Sequence, residues 1–406
     1  MEGYSHAEAA TAFEPTARYA ELRSQCPLHR EESHDPPYYV LTRFDDVLEV
    51  LKQPDLWGNR HGGGVFFQES GVLGTTDEPD HSRQRHVLRD AFVPTAIERL
   101  RPRILEIATE QLERFLAIEG HQADFVHDFA ASFPALAIAE LLGVDPESRH
   151  EFQHWSDHAV AALSGGDIDA YHLAKSKIEE HVAAGLALRD TQMVGHEPST
   201  TLFGSVIADD VLSRLAVARA TGVIDTREAL HLGYQLLVAG HETTTSLLGL
   251  MLYRLLQGPH LMQQLRADHS LLPTAIEEAL RFDSPVHGLF RTNAEPTEVL
   301  GEQMAECTKM QLVYASANRD PSRFSNPDEF IIGRDQRELG KHIAFGWGIH
   351  HCIGAPLARL ETLLAFELLL SRTTTIELAG EPRRNDSFVL HGLTSLPIRW
   401  TLASAH

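Results

Sequence analysis

Near the end of the chain, one cysteine stands in a loop rich in glycine, aromatic and histidine residues: Phe345-Gly346-Trp347-Gly348-Ile349-His350-His351-Cys352-Ile353-Gly354, followed by Ala355-Pro356-Leu357-Ala358-Arg359. Glycines let a backbone turn tightly and approach a flat ligand closely. The segment that follows reads as an amphipathic helix, and a helix N-terminus offers free N–H groups and a positive dipole end that favours thiolate over thiol. A thiolate in such a loop is a soft anionic ligand for a metal, haem iron among those it suits. The same cysteine would also serve as a small buried apolar residue. The rest of the chain has to decide between the two.

Three further constellations could do chemistry. Ala239-Gly240-His241-Glu242-Thr243-Thr244 lies near the middle of a segment, Arg227 to Gln257, that has no proline and is long enough to cross a domain as one helix. Glycine costs about 1 kcal/mol inside a helix, and threonine can divert its hydroxyl to a preceding carbonyl. A glycine, an acid and two threonines therefore predict a local widening that admits a small ligand, against the plainer reading of a polar side facing solvent. Glu278 and Arg281 stand at i, i+3 on one helix face, the spacing of an ordinary surface pair. His81 and Arg85 stand at i, i+4 and could meet a carboxylate together, or simply form an exposed basic face.

The elements that must position these residues are mostly helical. Periodicity predicts helices at about 44–51, 80–92, 95–118, 123–142, 147–164, 168–190, 204–221, 227–257, 274–282 and 355–371. Short strands are expected at 38–41, 297–300, 310–315, 374–378, 388–391 and 395–402. A glycine-rich loop over 57–79 contains His61-Gly62-Gly63-Gly64 and Phe66-Phe67, and loops of that length are usually functional. No internal repeat or interdomain linker is visible. The expectation is one domain over 1–406, mainly α with a minor β region.

Composition narrows the function classes. The 406 residues are 43% hydrophobic, enough for a large core, and a formal charge of −22 argues against nucleic acid or an anionic membrane as the main partner. Three cysteines, Cys26, Cys307 and Cys352, are too few for a disulfide framework and suit a reducing compartment. The N-terminal residues lack the pattern of a signal peptide, and no apolar run approaches the roughly 20 residues that span a bilayer. A cytoplasmic protein is expected.

Taken together, the motifs resemble those of the cytochrome P450 family in its soluble bacterial form. The cysteine loop matches the haem-binding signature Phe-x-x-Gly-x-x-x-Cys-x-Gly through Phe345, Gly348, Cys352 and Gly354. Upstream, in order, stand Ala-Gly-x-Glu-Thr-Thr, Glu-x-x-Arg at Glu278 and Arg281, and Asn318-Arg319-Asp320-Pro321. The resemblance runs from about residue 35 to 400. It implies the cytochrome P450 fold, with haem b between the long central helix and the cysteine-loop helix, and Cys352 as axial thiolate to the iron. It further implies His81, Arg85, Arg291 and His350 as partners of the haem propionates, with Ala239 and Gly240 on the central helix against the cofactor. Glu278 and Arg281 would pair with Arg334 in a structural network. Thr243 and Glu242 would deliver protons to oxygen, the usual acid–base relay logic. His351 receives no role.

The resemblance also implies where substrate sits: against Phe66, Phe67, Gln235, Val238, Ala239, Val286, His287, Leu289, Phe388, Val389 and Leu390. Most of these are apolar, so a hydrophobic organic substrate is expected, with Gln235 and His287 as polar exceptions that either touch it or face away. The implied activity is monooxygenation with O2. Electrons would come from a ferredoxin served by a ferredoxin reductase, docking near Arg83, Arg89, Arg359 and Lys341. Two other readings are a peroxygenase, which the Glu242-Thr243 pair argues against, and a zinc or sensor site at His350-His351-Cys352, for which no second ligand cluster is present.

Overall fold

Proline and aspartate punctuate the helices as their backbone chemistry requires. Pro94, Pro259, Pro273 and Pro356 stand in the first turns of Pro94–Leu116, Pro259–Ala267, Leu272–Asp283 and Ala355–Arg372, where a missing N–H costs nothing. Asp210 caps Val211–Ala220 by accepting from the Ser213 N–H at 2.7 Å. That cap explains why the periodic stretch from 204 becomes helical only at 211. The computed structural model describes residues 16–67, 71–145, 168–385, 387 and 389–404, together with Ser148, Glu151, His154, Trp155 and His158. The helix expected over 147–164 lies largely outside the described residues, and Phe388 lies outside them altogether.

The described strands are β1 (Leu28–Glu31), β2 (Tyr38–Leu41), β3 (Trp57–Gly58), β4 (Gln122–Asp124), β5 (Leu289–Asn293), β6 (Thr297–Val299), β7 (Glu302–Met304), β8 (Lys309–Leu312), β9 (Thr373–Leu378), β10 (Arg383–Arg384), β11 (Leu393–Ser395) and β12 (Pro397–Leu402). The chain divides into two compact units. The first comprises Met1–Glu78, Ser246–Cys352 and Ile376–Pro397. Its main sheet runs β1-β2-β8-β5-β3, with β2 and β8 parallel and the other pairs antiparallel. Leu41, Met310, Leu312, Phe44, Val47 and Phe324 pack in one of its cores. The strand expected over 310–315 ends at Leu312 and gives way to a helical turn, Tyr314–Ala317, built on the small residues Ala315, Ser316 and Ala317.

The second unit comprises Pro79–Thr245, Ile353–Thr375 and Ile398–His406. Here the helix Ala355–Arg372 packs against Pro94–Leu116. Phe115 stacks on Trp400 at 4.6 Å between ring centroids and continues into Phe125, Phe129 and Phe133 at 5.3–6.0 Å. The single helix expected over 123–142 is three pieces: β4, a π-helical turn Val126–Ala130, and the helix Ser132–Leu142. Asp124 and Asp128 accept backbone N–H bonds here, at Val126 and at Asp124 respectively, and so compete with a regular helix start. Among the described residues, no helix is long and apolar enough to cross a membrane.

Candidate active site

In the first unit the cysteine loop is held in one shape by two glycines and one hydrogen bond. Gly346 and Gly348 have φ of +71° and +70°, and a Cβ on Gly348 would also stand 3.3 Å from the Leu51 carbonyl. Only glycine adopts this backbone without strain. The Cys352 N–H donates to the Phe345 carbonyl at 2.9 Å, closing the turn. Cys352 and His351 are exposed, while Phe345 is half-buried with its ring 6.3 Å from those of His342 and His351. His350 lies in the short 3-10 turn Gly348–His350. The loop therefore presents an accessible thiol two residues before the Gly354 N-cap of an 18-residue helix.

Glu278, Arg281 and Arg334 are brought together and are fully buried. Glu278 receives Arg281 at 2.7 and 2.9 Å and Arg334 at 2.9 and 3.1 Å. The remaining Arg281 N–H groups reach the carbonyls of Asn318, Pro327 and Glu329 at 2.9–3.2 Å. Asn318 in turn accepts the Ile343 N–H at 2.8 Å, just ahead of the cysteine loop, and Asp320 accepts the Phe44 N–H at 3.0 Å. This network ties the Asn318-Arg319-Asp320 run and the chain leading into the loop to one buried acid.

Arg291 behaves differently. On β5 it is only 4% exposed, opposite Met310 and on the apolar face that carries Met310 and Leu312. It makes one hydrogen bond, to the Phe290 carbonyl at 3.0 Å, and no ion pair among the described residues. A buried cation without a counter-charge is costly. This guanidinium suits an anionic group on a ligand, such as a carboxylate.

Three segments assigned to substrate converge in the same unit. The Phe290 N–H donates to the Gly63 carbonyl at 2.9 Å, and the Leu289 side chain approaches Gly63. Val286 bridges Leu390, and the His287 N–H donates to the Val389 carbonyl at 2.8 Å, so the strand expected over 388–391 is reduced to this one bridge. Phe66 is 70% exposed with its ring near that of His34, and Phe67 stands over His61. The His287 ring stacks on His391 at 4.4 Å and meets Tyr19 edge-on.

Sequence reasoning missed Lys309 and His391. Lys309 is buried on β8 and donates to three carbonyls of the glycine-rich loop: His61, Gly62 and Gly64, at 3.0, 3.3 and 2.7 Å. Its ammonium also lies 4.9 Å from the Phe67 ring centroid. The strand expected over 310–315 begins one residue earlier, at Lys309, so the lysine lay just outside the segment read from sequence. His391 carried no signal.

The long helix Thr226–Gln257, of which the part up to Thr245 belongs to the second unit, shows a narrow open stripe. From Leu232 to Leu255 the residues not buried are Gln235, Val238, Ala239, Gly240, Glu242 and Thr243; all but Gly240 fall on one face at i, i+3, i+4, i+7 and i+8. The opposite side is fixed to the π turn: His241 Nε2 donates to the Ala131 carbonyl at 2.8 Å, and Thr245 Oγ1 to that of Ala130 at 3.0 Å. Burial pushes His241 down to about 4, so it is neutral at pH 7. Thr243 Oγ1 donates to the Ala239 carbonyl at 2.9 Å, yet the helix is continuous there. The helix thus runs on without a break where a local widening was expected. A Cβ on Gly240 would stand 3.2 Å from Ile138, so its bare face serves close helix packing and only its backbone is left for a ligand. Thr244 hydrogen-bonds Glu361 on the helix Ala355–Arg372, whose carboxyl burial raises well above its ordinary range.

His81 is buried and Arg85 half-buried on the helix Asp80–Phe92. Arg83, expected in a basic docking patch, is committed to Glu228 and Asp80 at 2.6 Å each, which leaves it little charge to offer a partner. Arg89 likewise lies 3.2 Å from Asp90.

Within the first unit, an accessible cysteine and a buried guanidinium with no counter-charge among the described residues fit an anionic cofactor whose metal takes thiolate. Comparison with known proteins agrees. A family model described as Cytochrome P450 matches residues 209–401. Cytochrome P450 107B1 of Saccharopolyspora erythraea is 34% identical, with 94% of each chain covered. The structure of CYP109Q5 from Chondromyces apiculatus superimposes with a TM-score of 0.83 at 33% identity, covering 98% of this chain and 97% of that one. A structure of CYP109E1 from Bacillus megaterium in complex with testosterone gives a TM-score of 0.82 at 28% identity, covering 98% and 99%.

Proposed function

The chain belongs to the cytochrome P450 family, and from that premise we propose that Cys352 is the thiolate that carries its haem and that residues 1–406 work as a single haem-thiolate monooxygenase domain. The enzyme inserts one atom of O2 into a hydrophobic organic substrate with electrons from separate redox partners: R–H + O2 + 2 e⁻ + 2 H⁺ gives R–OH + H2O. Bound haem supplies the oxygen-activating chemistry, and thiolate ligation favours O–O cleavage. The observation that carries the assignment of Cys352 is the loop itself, with its thiol accessible ahead of a helix N-terminus and its shape dictated by two left-handed glycines.

The protein's own groups divide the remaining work. Arg291, His81, Arg85 and His350 hold the propionates, with Arg291 the best supported because nothing else among the described residues neutralises it. Phe345, Gly348 and Gly354 shape the loop around the sulfur, while Ala239 and Gly240 keep the helix side low. The Thr243 hydroxyl hydrogen is committed to the Ala239 carbonyl, so its oxygen is left to act as an acceptor. It can hold a water or a protonated group, and Glu242, half-buried one residue away, passes protons toward it. Val238, Val286, Leu289, Val389 and Leu390 supply apolar contact, with Phe66 and Phe67 on the glycine-rich loop. The apolar body of testosterone, bound by CYP109E1, is the kind of molecule such a lining accepts.

A cytoplasmic location and a ferredoxin–ferredoxin reductase pair complete the reading. Docking is proposed near Arg89, Arg359 and Lys341, with Arg83 held by Glu228 and Asp80. Cys352→Ser tests the core of it. The wild-type reduced carbon-monoxide complex shows the red-shifted band of thiolate-ligated haem, and the variant loses it; a retained band would make another residue the ligand. Thr243→Ala leaves that band in place and uncouples reductant use from product, releasing peroxide.

A further inference from the structure

We propose that Gln235 is a polar anchor for the substrate, accepting a hydrogen bond from a hydroxyl or amino group that lies about 12 Å along the long helix from Thr243. The inference rests on the reading of this helix stripe as one wall of the substrate site, and it adds a substrate class to that reading. Three observations carry it. Gln235 belongs to the stripe, eight residues before Thr243 and on the same face as Val238, Ala239 and Glu242. Its Oε1 is buried and has no hydrogen-bond partner among the described residues. Its neighbours along the face cannot supply one: Leu232, Val238 and Ala239 are apolar, and His231 is turned to Lys175 and Glu179, at 3.2 and 3.3 Å.

A buried acceptor left without a donor is more costly than an ordinary hydrogen bond is favourable. Such a group is a standard specificity device, because a ligand that brings the donor relieves a penalty that a plain hydrocarbon leaves in place. Thr243 marks the oxygen end of the stripe and Gln235 the other end. At 1.5 Å per residue the two stand about 12 Å apart along the axis, so a substrate held at Gln235 presents for oxidation a carbon on the order of 10 Å from its polar group. The class that fits is an elongated apolar alcohol or amine, hydroxylated at the end remote from its heteroatom. The step is the established one, a C–H bond exchanged for C–OH with O2, two electrons and two protons consumed and one water formed.

The test uses the full-length haem-loaded protein and the probe pair decanol and decane. Binding is read as the ferric absorption shift on water displacement from the iron. Wild type should bind decanol roughly tenfold more tightly than decane and oxidise it at the carbons farthest from the hydroxyl. Gln235→Leu should bring the two affinities together by weakening decanol while decane is held or improved. Gln235→Asn, which keeps the amide one methylene shorter, should retain part of the preference and shift the position of oxidation. An unchanged decanol-to-decane ratio in Gln235→Leu, equal affinities in wild type, or attack at the hydroxyl-bearing carbon would overturn the anchor. If these results come with an intact thiolate–carbon monoxide spectrum, the anchor falls alone; without that spectrum the assignment of Cys352 falls with it.

Discussion

Two buried arginines of the first unit make a useful pair. Arg281 and Arg291 are 0% and 4% exposed and only ten positions apart in the chain. Arg281 has a carboxylate in bidentate contact and three backbone carbonyls around its remaining hydrogens. Arg291 has one carbonyl and an apolar sheet face. The first is a charge whose desolvation is fully offset within the protein. The second is a charge the fold leaves uncompensated, as expected of a residue whose partner arrives with a cofactor. Burial alone does not distinguish a structural ion from a binding one; the completeness of its hydrogen-bond shell does.

The sharpest way to break this contrast is to remove one side of the saturated cluster. Arg281→Met leaves Glu278 with Arg334 and the Ile331 N–H but takes away two of the hydrogen bonds it accepts, and removing one partner of a buried pair typically costs about 3–5 kcal/mol. That is a large part of a domain's total stability of roughly 5–15 kcal/mol. Little folded protein should be recovered, with or without haem, and what remains should unfold at a much lower urea midpoint. Full stability in this variant would mean that the cluster is dispensable.

Arg291→Leu should behave in the opposite way. In the haem-free chain its stability should match wild type or exceed it by about 1 kcal/mol, since an unpaired buried cation has been replaced by a side chain that suits its face. Haem loss to a scavenger should become at least tenfold faster, the effect of about 1.4 kcal/mol in holding the cofactor. If the haem-free variant were as unstable as Arg281→Met, Arg291 would be structural and the contrast would fail.

How much of this could be read from sequence depends on whether the signal was local. Cys352, Gly346 and Gly348 declare themselves, because a turn with positive φ needs glycine at a fixed place in the loop. The ends of the helices Asp80–Phe92 and Leu272–Asp283 follow from periodicity and proline. The π turn at 126–130 did not show, since its residues have helical periodicity and only the aspartate-to-backbone bonds disrupt it. The partnership of Gly240 with Ile138 and the stack of His287 on His391 were likewise hidden, because both join positions separated by about a hundred residues. Arg83 looked like part of a basic patch until Glu228, 145 positions later, came to meet it.

Lys309 lies between the two arginines in kind, and it gives the smallest and most selective effect. It shares the β5–β8 ladder with Arg291, opposite Thr292 and so on the other sheet face. Its ammonium is solvated by three carbonyls, with no carboxylate partner among the described residues. Burial lowers its pKa from the ordinary 10.5 to about 8. Carbonyl acceptors favour the charged form and oppose that shift. Between the folded and unfolded values the unfolded chain binds more protons, so stability rises with pH through this window. Relative to Lys309→Met, wild type should therefore gain stability between pH 8 and 10.5, by about 1 kcal/mol once the carbonyls are counted. At pH 7 the two proteins should differ by about as little, because the variant loses the carbonyl bonds and the burial penalty together. Thermal midpoints of both proteins, measured in steps from pH 7 to 10.5, give the difference curve. A flat curve would mean that the carbonyl shell fully offsets burial, which would place Lys309 beside Arg281 as a completed structural ion; a rising one keeps it intermediate, a cation the glycine-rich loop holds by backbone carbonyls and the Phe67 ring without a carboxylate among the described residues.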